Sequence, residues 1–164
     1  MIFLGIDPGL AATGYGVVES DGRKAAIVDF GCIRTSPGRE TPDRLEAIYT
    51  ALMSVIRQWQ PEGMAVEEAF SLPRAPKAAM TLGEVRGVIL LAGVQAGLRT
   101  MQLSPREVKQ ALTGSGAADK EQMERALRHL TGWVDAIRPN HASDALAIAL
   151  VGASRLHEPG SHPR

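Results

Sequence analysis

Residues 1–20 read MIFLGIDPGLAATGYGVVES, and the alternation in the first seven decides what kind of fold follows. Side chains of a strand point to opposite faces in turn, so Ile2, Leu4 and Ile6 share one face while Phe3, Gly5 and Asp7 share the other. Both sets contain large apolar residues, as expected of a strand covered on both sides. Asp7 therefore ends the strand pointing where Phe3 points, into partly covered space, which is an expensive place for a carboxylate. Pro8-Gly9 turns the chain, residues 13–20 alternate again, Asp21-Gly22 supplies a second turn, and residues 24–35 (KAAIVDFGCIRT) form a third strand. This is an antiparallel meander.

Beyond it the period changes. Thr41 offers an N-cap with Pro42 at the first helical position, and Leu45, Ile48, Leu52, Val55, Ile56 and Trp59 follow at helical spacing until Pro61. GMAVEEAF (63–70) reads as a short strand, residues 76–98 as a long helix, and TMQLS (100–104) as a strand. Ser104-Pro105-Arg106-Glu107 has the form of a capping box that starts a helix running to Thr113. GSGAADKEQ (114–122) is expected to be a loop. A helix carrying Met123, Leu127 and Leu130 on one side ends near Gly132, and a last helix covers about 142–156. Three meandering strands followed by β-α-β alternation predict an α/β domain with a mixed sheet of about five strands and helices on both faces. Residues 1–156 are expected to form this single domain, with 157–164 as a disordered polar tail.

The chain has 164 residues, 18 Lys plus Arg, and 18 Asp plus Glu. That balance gives no global argument for a polyanionic partner, so any nucleic-acid surface must be a local patch. Cys32 has no cysteine to pair with, and no apolar run reaches the roughly 18 residues of a membrane span. A cytoplasmic protein with no membrane association is the expectation. Neither GxxxxGK[ST] nor GxGxxG occurs. The turn Asp7-Pro8-Gly9 with Thr13-Gly14 resembles the phosphate-gripping hairpin of actin-like sugar kinases, but those enclose ATP between two such lobes and no second copy appears.

Three carboxylates stand where charge is costly: Asp7, Glu67 in the short strand, and Asp144 in a nearly apolar last helix. His141 and Asp144 are three apart, on one helical face near a helix N-terminus, where unpaired N–H groups favour an ionised acid. Such a cluster is able to bind metal. Each member also has an ordinary reading: Asp7 as a turn former, Glu67 as a solvent-facing residue of an edge strand, His141 and Asp144 as helix caps. Their joint position, at the ends of two strands and one helix that a single sheet would unite, is more specific than any one of them.

GIDPGLAATGYGVV, GCIRT, AVEEAF, LGEVRGV, REVKQALTGSGAADK and ASDALAIAL, in that order over about residues 1–156, resemble the RuvC family of Holliday-junction resolvases. The resemblance implies an RNase H-like fold, a homodimer, and acidic residues that use divalent metal to nick DNA at four-way junctions. It makes Asp7, Glu67 and Asp144 active-site carboxylates. The fourth place, commonly Asp, is His141 here. Carboxylates suit Mg²⁺, and an imidazole nitrogen shifts preference toward Mn²⁺ and later metals. Two such ions per site would serve in-line hydrolysis that leaves 5′-phosphate and 3′-hydroxyl ends.

Residues 71–113 hold Arg74, Lys77, Arg86, Arg99, Arg106 and Lys109 against Glu84 and Glu107, an excess of four positive charges. Lys120 lies just beyond. A solvated face is the plain reading, but the resemblance matches Lys109 and Lys120 to lysines near the scissile backbone, with Arg74 and Lys77 on the same DNA path. Phe70 reads as core on its own, and the resemblance turns it into an aromatic that stacks on a base unpaired at the junction. The long helix carries Ala79, Gly83 and Gly87 at four-residue steps, a stripe that permits close approach either to the sheet or to a second copy. Two other functions remain open to this sequence: an RNase H-like nuclease of RNA–DNA hybrids, and a junction-binding protein with lost or weak catalysis. Branch-migration motor proteins of the same pathway are the further partners expected.

Overall fold

A computed structural model describes residues 1–68 and 76–157. In chain order it contains β1 (Ile2–Asp7), β2 (Ala12–Ser20), β3 (Ala25–Arg34), α1 (Thr41–Trp59), β4 (Gly63–Glu67), α2 (Pro76–Gln95), β5 (Arg99–Leu103), α3 (Pro105–Thr113), α4 (Lys120–Thr131) and α5 (Asn140–His157). The five strands form one sheet in the order β3-β2-β1-β4-β5. β1, β2 and β3 are antiparallel neighbours, while β4 and β5 run parallel to β1. The mixed sheet expected from the meander and the later alternation is therefore present.

Alternation along β1 sorts the core into two. Leu4 and Ile6 join Val17, Met64 and Val66 beneath Ile48, Leu52 and Ile56 of α1 and Val85 and Ile89 of α2. Phe3 faces the other way, onto α5 and its neighbours α3 and α4. Burying each of the α1 side chains contributes about 1.5–3 kcal/mol, which is what fastens the helix to that face. On the opposite face α5 sits unusually deep. A Cβ on Gly5 would stand 2.1 Å from the carbonyl oxygen of Ala145, and one on Gly16 2.7 Å from the amide nitrogen of Leu146. Ala142, Ala145, Ala149 and Ala153 on α5 are themselves fully buried. Small residues on both partners bring the helix backbone down onto the strands.

Local chemistry follows the sequence with several corrections. α3 opens on the expected capping box, Ser104 with Glu107, and ends at Gly114 in the left-handed region. α1 is capped by Glu40 without a side-chain hydrogen bond, so Thr41 is its first helical residue rather than its cap. The 114–122 stretch is not all loop, because Asp119 and Gln122 form a second capping box that starts α4 at Lys120. β4 stops at Glu67 and lies between β1 and β5, so Glu67 is not on an edge strand. α5 extends from Asn140 to His157, which takes His141 into the helix and takes His157 out of the expected tail. Residues 158–164, Phe70 and Arg74 lie outside the described residues. No uninterrupted apolar run reaches about 18 residues, although α2 is long and apolar enough to cross a membrane by length and mean composition alone. Lys77, Glu84 and Arg86 interrupt it.

Candidate active site

β1 and β4 run side by side in the same direction with Ile6 opposite Val66. Asp7 and Glu67 are the next residue on each strand, and both follow the parity of Phe3 and Ala65 toward α5. The first turn of α5 descends on the same spot, where Gly14, the β2 neighbour of Asp7, has no side chain to obstruct it. A Cβ there would lie 2.0 Å from the carbonyl oxygen of His141. Two strand ends and one helix start thus bring Asp7, Glu67, His141 and Asp144 to one end of the sheet. His141 Nδ1 is 2.6 Å from Asp7 Oδ2. A neutral imidazole that donates there keeps its Nε2 electron pair free and leaves Oδ1 of Asp7 available.

Burial sets the electrostatics. Asp7 is only 8% exposed. Its carboxyl is pushed above the usual range by desolvation, against the lowering effects of the His141 hydrogen bond and charge. Glu67 is pushed up to about 7, first by burial and then by the negative charges of Asp7 and Asp144. Desolvation raises Asp144 too, opposed by Lys120, His141 and Lys109. Three acids raised by burial, two of them also by a neighbouring carboxylate's charge, form a site that a cation would relieve. Among the described residues no three His, Cys, Asp or Glu side chains close on a single point as they stand. The donor chemistry nonetheless suits a hard divalent ion: carboxylate oxygens with one imidazole nitrogen.

A cavity of about 210 Å³ opens beside these acids, lined by Glu67, Asp144, Lys109 and Lys120 together with Pro105, Val108, Met123, Ala147 and Ile148. Lys109 comes from α3 and Lys120 from the first turn of α4. Both expected lysines are therefore brought to the carboxylates. Lys77 is not, since it lines a separate cleft with Leu10, Thr81 and Leu82 on the α2 side. Arg86 hydrogen-bonds Gln102 on β5.

Thr13 is a contributor that residue-type reasoning passed over. It is fully buried, donates through Oγ1 to the Gly9 carbonyl at 2.7 Å, and so fixes the turn that follows Asp7. Its only sequence signal is a hydroxyl residue just past a Pro-Gly turn. The cavity-lining Met123 and Ile148 gave no signal beyond ordinary core periodicity.

Comparison with known proteins decides the relationship. The family model for crossover junction endodeoxyribonuclease RuvC matches residues 3–152. The chain belongs to the RuvC family. A RuvC of Chloroflexus aggregans is 45% identical over 150 residues, covering 92% of this chain and 91% of that protein. That of Moorella thermoacetica is 44% identical over 154 residues, covering 94% and 92%. Thermus thermophilus RuvC in complex with Holliday junction substrate superposes with a TM-score of 0.90 at 38% identity, covering 95% of this chain and 94% of that one. The RuvC fold expected from the six motifs is accordingly shared over nearly the whole length, RNase H-like sheet included.

Proposed function

We propose that this RuvC-family chain resolves Holliday junctions in recombination and repair, making paired symmetric nicks in four-way DNA through Asp7, Glu67, His141 and Asp144. The observation that carries the reading is the convergence at one end of the sheet of Asp7, Glu67 and Asp144, each pushed above the usual carboxylate range first by desolvation, where Glu67 and Asp144 share one opening with Lys109 and Lys120. Two lysines suit a phosphodiester, and the acids behind them suit the cation such a phosphate needs for hydrolysis.

Divalent-metal dependence is general to RuvC nucleases. For this chain we assign Mg²⁺ or Mn²⁺, two ions per site, held by Asp7, Glu67, Asp144 and His141 Nε2. When bound, they supply a nucleophilic water near neutral pH and a counter-charge for the leaving 3′ oxygen. The chain's own residues do the rest. Asp7 orients His141, Thr13 fixes Asp7, and the α4 capping box at Asp119 sets Lys120 against the phosphate backbone. Phe70 and Arg74 complete the DNA path in this reading, with Lys77 on its α2 side.

Paired nicks call for two sites related by a two-fold axis, and α2 offers the surface. Met80, Leu91 and Val94 are 73%, 53% and 64% exposed, in line with Gly83 and Gly87. A Cβ on either glycine would meet no atom within 4 Å beyond its own helix turn among the described residues. The Ala79-Gly83-Gly87 stripe thus faces away from the sheet and fits a second copy. Branch-migration motors and a cytoplasmic setting belong to the same reading, as does a single nuclease domain over residues 1–156.

Asp7→Asn tests the assignment. It keeps the lysines and removes one anionic ligand, so junction binding in a gel-shift assay should stay within about threefold of the parent while cleavage with either metal falls at least about a thousandfold. Cleavage near the parental rate would defeat the metal-site reading. Parallel assays on duplex and RNA–DNA hybrid separate junction selectivity from general RNase H-like activity.

A further inference from the structure

A groove separate from the acid-and-lysine cavity runs along α3 and α4. Where α3 and α4 diverge, a cavity of about 350 Å³ is lined by Leu112, Thr113, Gln122, Arg125, His129 and Leu130. A second of about 610 Å³ continues it toward the β2–β3 turn, over Leu112, Leu130, Leu150, Val151 and Ala25. Leu112 and Leu130 line both, so the two are parts of one elongated depression. Its α5 wall is Leu150, Val151, Ser154 and Arg155, in the C-terminal half of the helix whose first turns hold His141 and Asp144.

Three observations define what it would accept. The floor is apolar, with Leu130 49% exposed although it sits on a helix that buries Leu127 fully. The walls are stiff, because α3 and α4 both begin in capping boxes and end at left-handed glycines. The ionisable groups on the lining are Arg23, Lys24, Arg125, His129 and Arg155, with no Asp or Glu among them. In a chain with equal numbers of acidic and basic residues, that is a one-sided wall. Arg125 and Arg155 share their charge with Glu121 and Glu107. Arg23 and Lys24 are exposed and make no ion pair among the described residues. Asp21, in the same turn, is engaged with the backbone N–H groups of Arg23 and Lys24 at 2.8 and 2.7 Å.

We propose that this groove docks an acidic amphipathic helix of a partner protein. Its apolar residues at i, i+3, i+4 and i+7 would lie on Leu112 and Leu130, and its carboxylates would meet Arg23 and Lys24. A bare polyanion such as a DNA arm would use the cations but gain nothing from a recessed leucine floor. Its lining shares no residue with the acid-and-lysine cavity, which leaves those residues free for a junction.

The test uses two synthetic peptides about 16 residues long, with Leu at i, i+3, i+4 and i+7 and Glu at the intervening positions, or Lys in the twin. Binding to the full chain is followed by fluorescence anisotropy. The Glu peptide should bind at least about tenfold more tightly than its Lys twin, an advantage that shrinks with salt. Arg23→Glu with Lys24→Glu should reverse that preference, and Leu130→Asp should abolish binding of both peptides. All three substitutions fall on exposed atoms, so melting temperature and junction cleavage should stay as in the parent. Equal binding of the twins, no binding of either, or binding undiminished by Leu130→Asp overturns the proposal. So does a loss of junction affinity on charge reversal, which would assign the groove to nucleic acid, or a change of oligomeric state, which would assign it to a second copy.

Discussion

A Cβ at Gly14 would stand 2.0 Å from the carbonyl oxygen of His141, and one at Gly5 2.1 Å from that of Ala145, whereas a Cβ at Gly83 or Gly87 of α2 would meet nothing within 4 Å beyond its own helix turn among the described residues. In sequence the two sets look alike: small residues at regular spacing in apolar elements. In the fold one set is a closed contact and the other an open one. Beneath α5 the absent side chains let a helix backbone rest on β1 and β2, and this descent buries Asp7 and brings His141 to it. On α2 the absent side chains leave a shallow track beside Met80, Leu91 and Val94. Glycine in mid-helix is costly relative to alanine, so a track that meets nothing among the described residues fits a use outside the chain.

The largest expected effect comes from filling the closed contact. Gly14→Ala forces the N-terminal turn of α5 off the sheet, and the obstructing atom is backbone, which has nowhere to turn. Overpacking of this kind costs about 1–3 kcal/mol or more. Urea unfolding should show at least that loss, and junction cleavage should fall further than stability does, because His141 and Asp144 move together. A fully active, fully stable Gly14→Ala protein would show that α5 does not set the site.

The open contact should respond differently. Gly87→Leu puts a large side chain where a second copy would approach, with no neighbour in its own chain to disturb. For the proposed homodimer, the dissociation constant read by sedimentation should rise about a hundredfold, equal to about 2.7 kcal/mol, while the monomer's fold is unchanged. An unaltered dimer would move the interface off this stripe.

A third measurement asks whether closure by α5 causes the acid shift. Glu67 is pushed up to about 7 by burial and neighbouring charge. A folded-state value above the unfolded one means that the native protein holds the proton more tightly, so its contribution favours folding at low pH. That contribution is full below the unfolded value of roughly 4.3 and is lost as pH rises through about 7. Metal-free protein in EDTA should therefore lose thermal stability across pH 5–7 more steeply than Glu67→Gln does, with a residual slope from Asp7 and Asp144. Added Mg²⁺ should oppose the loss, since metal and proton compete for the same oxygens. Equal slopes in the two proteins would mean that Glu67 is solvated.

The smallest effect has the opposite sign to the first. Gly83→Ala adds a methyl to an exposed helical position with open space around it, so it should stabilise the monomer by up to about 1 kcal/mol through helix propensity. Urea midpoints measured below the dimer dissociation constant would read it.

Much of this arrangement is legible in the amino-acid sequence. The two-residue period of residues 1–7 places Asp7 on the Phe3 face, and it lies there because pleat geometry leaves no other choice. The capping box at Ser104 and the helix ending near Gly132 can be read locally, since the hydrogen bonds that make them are local. Asp119 with Gln122 carries the same kind of signal within a Gly-rich stretch that otherwise reads as loop. Lys109 and Lys120 are matched to the site by resemblance, and the fold brings both to it, whereas Lys77 shares the basic segment yet lines another cleft.

What the sequence by itself determined is what depends on near neighbours: strand parity, helix starts and stops, and the residue types able to hold a cation or a phosphate. Tertiary structure alone decided which of them meet. No pattern in residues 1–20 states that the carbonyl of His141 will lie over Gly14, because that contact spans 127 residues and depends on small side chains from β1, β2 and α5 acting together. The high proton affinity of Glu67 has the same origin. A glutamate acquires it only when a helix from the far end of the chain excludes water and two other acids share the space.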